Sequence, residues 1–383
     1  MRAIVHHGPI TRVQIAKQAG ISKQTVSEVV NKLEAEGWIH EAGRTSGAVG
    51  RTAISYRLNP ASGYVMAVDL GGSKTRAAIS NLAGGLLIED ERPSDPRGGE
   101  FVIVNIVQHC RELAERAGID WSRVVQIAVG SPGVINSGTG MIGKAPNIPL
   151  FEGIEVEKEL LAALSVPTIL ENDANLAVLG EQWQGCGKGC ANFALIVIGT
   201  GVGMGLMLDG KIYRGARGAA GEVGYMPLGS DPFDPSMSRR GPLEEAIGGT
   251  GIMRRYKAIG GSSGQTVPEI FAAVENGEDA AVAVLDDTAR LIALTIASVA
   301  AILDPERLVL GGRIGGRPEL RAGVARWLAQ IMSNPPPVET SLLGDRASLV
   351  GALAVALGRA HHTLFAARSS PEPLTLPDIG AEP

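Results

Sequence analysis

One folding unit is written twice in this chain. "YVMAVDLGGSKTRAAISNLAGGLLIEDE", from Tyr64, reads as three strands joined by tight turns. "NFALIVIGTGVGMGLMLDGKIYRG", from Asn192, repeats the plan. In each copy a buried strand runs into a glycine-rich turn and returns as a second strand. "VVQIAVGSPG" and "RLVLGGRIGG" add strands that end in glycines after long helical segments. Two similar halves, each a sheet with helices, argue for an α/β protein with a cleft between two lobes.

The glycine turns have a physical reading. Gly71 and Gly72, with Ser73, Lys74 and Thr75, let backbone N–H groups approach an anion closely. Thr200, Gly201, Gly203 and Gly205 offer the same in the second half. Neither is a dinucleotide fingerprint, which needs a helix after the glycines, whereas "GLMLDG" reads as a strand into an Asp-Gly turn. Glycine hairpins are common singly; two in matching places of a duplicated fold carry more weight. Between the copies lies "ILENDANLAVLGE", with Glu171, Asn172 and Asp173 between an apolar run and a helix. Such groups either cap the helix or hold a ligand, and the residues leave both open. The helix start favours an ionised Asp173.

Charge separates the first sixty residues from the rest. They hold eight basic residues against four acidic ones, +4, which leaves −9 for the remainder of a chain whose formal net charge is −5. A small basic domain on an acidic body points to a polyanionic partner for that domain alone. Its sequence reads as two helices and a hairpin. Ile15, Ala16 and Ala19 form a short apolar face, Gly20 ends the first helix, and Ser22 caps the second. Val26, Val29, Val30 and Leu33 fall at i, i+3, i+4 and i+7, a buried stripe. Ser22, Lys23, Gln24, Thr25 and Ser27 put short polar groups at the start of the second helix, as a major-groove reader needs. Arg44 and Arg51 flank a glycine-rich hairpin tip, available to phosphate or the minor groove. The segment resembles the winged helix-turn-helix domains of bacterial repressors, which implies a two-fold-related operator DNA and at least a dimer.

The motifs "DLGGSKT", "ENDAN", "GTGVGMG", "GARGAAGEVGY" and "LVLGGRIGG" occur in that order. Together they resemble the phosphate, sugar and adenosine motifs of the ROK family, which groups repressors, open reading frames and sugar kinases. The resemblance runs from about Thr11 to about Gly358. It implies the duplicated, two-lobe actin-like ATPase fold (ribonuclease H-like), with the winged helix placing the chain in the repressor branch. The implied organisation is a DNA-binding domain over 1–60, a first lobe over 61–170 and a second over 171–344. A helix at about 345–367 would pack back on the first lobe, and a Pro-rich tail over 368–383 would be disordered.

The resemblance also implies a site. Asn147, Asn172, Asp173, Glu222 and Glu244 would hydrogen-bond sugar hydroxyls; Glu245 is an alternative to Glu244. Asp69, Gly71, Gly72, Ser73, Lys74, Thr75, Thr200, Gly201, Gly203, Gly311 and Gly312 would serve phosphate and nucleotide. Carboxylates and carboxamides at fixed positions suit a sugar, because an epimer leaves a buried polar atom unpaired. Many relatives hold a structural zinc through a His and a cysteine cluster. Here Tyr225 stands at the His position, and Pro235, Met237 and Pro242 at the cysteine positions. No thiolate–imidazole site can form, so no structural zinc is expected, and Tyr225 is left to face the sugar. In the family's kinases the Asp matching Asp173 is the general base; if that activity is retained, ATP and Mg²⁺ are its cofactors.

The resulting expectation is a cytoplasmic, sugar-responsive repressor that binds operator DNA as a homodimer or higher homo-oligomer, its effector a sugar or sugar phosphate. A sugar kinase with an accessory DNA-binding domain is the alternative. Cys110, Cys186 and Cys190 are too few for a disulfide framework. No apolar stretch reaches about 18 residues without a charge or loop signal, so no membrane span is expected.

Overall fold

The computed structural model describes residues 1–46, 52–136, 139–143, 145, 147–261 and 266–365. The amino-terminal domain holds helices Arg12–Ala19 and Lys23–Ala35 and the hairpin Ile39–Ser46 with Thr52–Leu58. A further helix, Arg2–His7, and a short strand, Ile10–Thr11, complete it. Thr11 and Gln14 form a capping box, Gly20 leaves the helix at φ 66°, and the Ser22 side chain accepts from Thr25 N. The core is Ile4, Ile10, Ile15, Val26, Val30, Ile39 and Tyr56. Two expectations are corrected: Val29 is 44% exposed and Ala19 is exposed. So small a domain covers only a narrow helical stripe, and residues at its edge stay in water.

The body repeats its topology. In the first sheet the order is Thr168–Asn172, Val124–Ser131, Tyr64–Leu70, Lys74–Asn81, Leu86–Pro93. In the second it is Val338–Thr340, Arg307–Gly311, Phe193–Ile198, Val202–Leu208, Lys211–Ile212. Each half opens with three antiparallel strands; its first strand then pairs in parallel with one later strand, which pairs in parallel with another. The central strands are apolar on both faces because helices cover both. Helix Glu100–Arg116 and helix Val156–Leu164 build the first lobe's outer core; the long helix Asp279–Leu303 builds the second's.

Two helices join the lobes. The cleft helix, Asp173–Gln184, continues directly from the last strand of the first sheet, which therefore runs through Asn172. The C-terminal helix, Ala347–Phe365, crosses it and also packs on the first sheet. Gly180 and Gly351 permit this crossing. A methyl at Gly351 would lie 1.8 Å from Leu176 O, and one at Gly180 would lie 2.2 Å from Ala347 O. Buried Glu181 fastens the far end, accepting from Cys186 N at 2.9 Å and Leu343 N at 3.0 Å.

A carboxylate-rich cleft between two glycine turns

A cavity of about 310 Å³ opens between the sheets, where the central strands of both halves end. Asp69, Gly71, Gly72, Asn147, Asn172, Asp173, Thr200, Gly201, Gly203, Glu222, Tyr225, Glu244, Gly311 and Gly312 all line it. Residues far apart in sequence converge here because both halves aim the ends of their parallel strands at one crevice.

Ser73, Lys74 and Thr75 do not line the cavity. Lys74 pairs with Glu91. Thr75 is fully buried, its hydroxyl 2.9 Å from that of Ser94, and Ser94 in turn donates to Gly71 O at 2.7 Å. These residues shape the first turn from behind. Gly205 also differs from its expected role. A methyl there would lie 2.2 Å from Ala174 O, so this glycine lets the second hairpin press on the cleft helix.

Glu171, Asn172 and Asp173 divide their work. Asn172 caps the cleft helix, accepting from Asn175 N at 3.0 Å and donating to Gly133 O at 3.2 Å. Glu171 accepts from Asn172 N and Asn175 Nδ2, both at 3.0 Å, and binds Arg214 of the second lobe at 2.8 Å. Asp173 faces the cavity. Burial, the Asp69 carboxylate and the Glu222 carboxylate push it up to about 7, against the N–H of Ala174. The helix start was expected to keep Asp173 ionised; burial beside two other acids outweighs it.

The remaining acids form one electrostatic unit. Burial raises Asp69, opposed by the Ser348 hydroxyl and Arg76. Burial raises Glu244, opposed by the N–H of Val202 and by Arg240. Burial and then Glu222, Glu244 and Glu152 raise the Tyr225 phenol. Sequence reading missed Arg240, Ser348 and Asp345, which also line the cavity. Asp345 takes a hydrogen bond from Arg313 of the second lobe at 2.9 Å, and Arg76 of the first lobe donates to its backbone carbonyl at 2.5 Å. None of the three lies in a recognisable motif, so only proximity reveals them.

At the amino end Ser22, Lys23, Gln24 and Thr25 lie exposed at the start of the second helix, Ser27 is half-buried, and Arg44 is exposed on the hairpin. Arg51 lies outside the described residues, as does the 368–383 tail. The Gly229–Arg240 loop contains aspartate turns, Asp231 accepting from Phe233 N at 3.0 Å and Asp234 from Ser236 N at 2.8 Å. Among the described residues no group of three or more His, Cys, Asp or Glu could hold a metal ion. No described helix is long and apolar enough to cross a membrane.

Fold and site together define a two-lobed, actin-like cleft protein carrying a winged helix. A model of the ROK family matches residues 65–359, and one of the MarR family matches residues 1–51. The chain belongs to the ROK family and is a transcriptional regulator within it. It is 32% identical over 276 residues to a glucokinase of Halalkalibacterium halodurans, covering 66% of this chain and 80% of that one. It is 24% identical over 375 residues to a putative xylose repressor of Caldicellulosiruptor sp., covering 93% and 94%. A solved ROK family transcriptional regulator, a homologue of the E. coli Mlc protein, aligns with a TM-score of 0.74 at 23% identity over 94% of this chain and 95% of its own.

Proposed function

We propose that a sugar binds in the cleft and lowers the affinity of the winged helix for operator DNA, making this a sugar-responsive repressor. Asp173, Glu222 and Glu244 accept from sugar hydroxyls, Asn147 donates and accepts, and Tyr225 offers a ring to a sugar C–H face. The observation that carries the reading is the reach of one helix. At its start Ala347 and Ser348 line the cavity. At its end Phe365 meets Trp38 of the DNA-binding domain edge-on, with centroids 5.7 Å apart. Nineteen residues of helix span roughly 28 Å. His361 secures that end, its Nε2 2.7 Å from Leu82 O of the first lobe.

Cleft closure that shifts the C-terminal helix is thereby felt at Trp38. Four ion pairs hold lobes and helix in register: Glu171–Arg214, Arg76–Asp345, Arg313–Asp345 and Glu89–Arg346. A ligand shifts such an equilibrium only by its different affinity for the two forms, typically about 1–3 kcal/mol. The test measures operator binding by fluorescence anisotropy against a panel of pentoses and hexoses. An active sugar should weaken wild-type binding roughly five- to a hundredfold. Phe365→Ala should keep the sugar's thermal shift and lose its effect on DNA. A sugar that raises the melting temperature of the wild type and leaves its DNA affinity unchanged would sink the reading.

A sugar kinase is the second reading, favoured by an Asp173 that titrates near 7 in a cavity with Asp69. A carboxylate of that pKa is well placed to take a hydroxyl proton. Asp69, beside the first glycine turn, would hold Mg²⁺, which would neutralise charge on a bound phosphate. Turnover of ATP with a sugar, abolished by Asp173→Asn, would establish it.

A further inference from the structure

The second helix of the winged domain, Lys23–Ala35, carries an acid on its outward face. Its buried residues are Val26 and Val30. Gln24 and Glu28, four positions apart, point the opposite way, and both are exposed. The polar groups around them are already in use. The Ser22 and Thr25 hydroxyls lie 2.8 Å apart, and Ser22 Oγ also accepts from Thr25 N at 3.1 Å, so both serve the helix cap. Ser27 is half-buried. Asn31, further along the outward face, accepts from Arg12 Nη2 at 2.7 Å, and that guanidinium sits over Tyr56, 5.1 Å from the ring centroid. Lys23 is a point charge on a long stem, which suits a phosphate. Gln24 and Glu28 are left to meet the bases. Gln24 Nε2 makes a long contact to Glu28 Oε1, 3.4 Å, and the other carboxylate oxygen stays available.

An acid on a DNA-reading face faces phosphates of its own sign. Among the described residues no lysine or arginine pairs with Glu28 to offset that. A carboxylate accepts and cannot donate, so it needs a donor from the DNA. In the major groove guanine presents acceptors, and thymine an acceptor and a methyl group. Adenine sets the acceptor N7 beside its donor, which repels the second carboxylate oxygen. Cytosine presents its N4 amino donor alone.

We propose that Glu28 sets operator specificity by accepting from the N4 amino group of a cytosine in the major groove. The inference rests on the chain's DNA-binding role, not on the cleft as a sugar site. Duplexes selected from a randomised library by the full chain, followed by anisotropy on the selected sequence, test it.

The wild-type motif should contain a required cytosine. Replacing it by thymine exchanges the N4 donor for an O4 acceptor and should weaken wild-type binding roughly five- to a hundredfold, a measurement that needs no variant. Glu28→Gln supplies an amide that pairs with adenine, so the preference at that position should move from cytosine to adenine while the rest of the motif stays. Glu28→Ala should remove the preference at that position alone. Glu36→Gln, at the end of the same helix beside Lys32, takes away an equal charge off the outward face and should leave the motif unchanged.

A wild-type motif with no required cytosine would overturn the proposal. So would a cytosine preference that survives both Glu28 variants, one lost equally in Glu36→Gln, or a loss in the Glu28 variants spread evenly over every position. Failure of the wild type to select any sequence would overturn the DNA-reading role together with the inference.

Discussion

In the first half of the body the glycine turn is closed by its own neighbourhood. Gly71 N donates to Lys74 O at 2.9 Å, and Ser94, in the segment after the third strand, donates to Gly71 O. In the second half Gly199 N donates to Gly201 O at 2.9 Å, and the turn is capped in addition by Glu244, 42 residues from the Val202 N–H it accepts. The strand order is the same and the chemistry differs. A backbone-closed turn keeps its shape whatever enters the cleft. A carboxylate cap can change its partner, because a side chain swings more cheaply than a backbone moves.

The largest effect should come from the second hairpin away from its turn. Gly205→Ala drives a methyl into Ala174 O and should cost about 3 kcal/mol, read by urea unfolding. Gly203→Ala, whose methyl would meet only Ala174 Cβ at 3.5 Å, should cost far less. Equal losses would show that close packing is not what that glycine serves.

Asp173→Asn should be stabilising at pH 8, by roughly 2 kcal/mol once solvent in the open cleft has screened part of the shift. The sign follows from a folded pKa of about 7, above the ordinary carboxylate value. The folded state holds the proton more tightly, so the wild type should gain stability as pH falls from about 8 toward 5, and the Asn variant should lack that gain. A wild-type melting temperature whose pH slope survives the substitution would remove Asp173 from the coupled group.

The two turns should respond differently to the same change. A methyl at Gly72 would lie 2.8 Å from the backbone Asn147 O, which cannot step aside; at Gly201 the first obstacle is the end of the Glu244 side chain. Gly72→Ala should therefore cost about 1–2 kcal/mol, and Gly201→Ala less than about 1 kcal/mol. The reverse order would erase the distinction between the turns. Ser94→Ala, which removes the bracing of the first turn, should cost about 1 kcal/mol and leave ligand affinity little changed.

Much of this was legible beforehand, and the reasons are local. Repeated strand–glycine–strand patterning announced two sheets, and their order bears the duplication out. Ser22 as a cap and Gly20 as a left-handed stop follow from residue types at one helix junction. Other features were not legible, because each depends on what lies opposite. Gly203 and Gly205 look alike in "GTGVGMG", yet only Gly205 faces the backbone of the cleft helix. Lys74 follows a phosphate-like turn, yet strand alternation sends it to Glu91 on the far face. Trp38 and Phe365, more than three hundred positions apart, carry no sequence sign that they touch.

The sequence by itself determined the periodicities, the breakers and the residue types. These suffice for two α/β halves, a basic winged helix and a set of acids and glycines suited to a polar ligand, because each is settled by chain neighbours and by solvent. The tertiary structure decided which of those residues share a cavity, how their charges shift one another, and which glycine bears a close contact. Coulomb forces and excluded volume act through space, and the distances they act over are set only once the chain has folded.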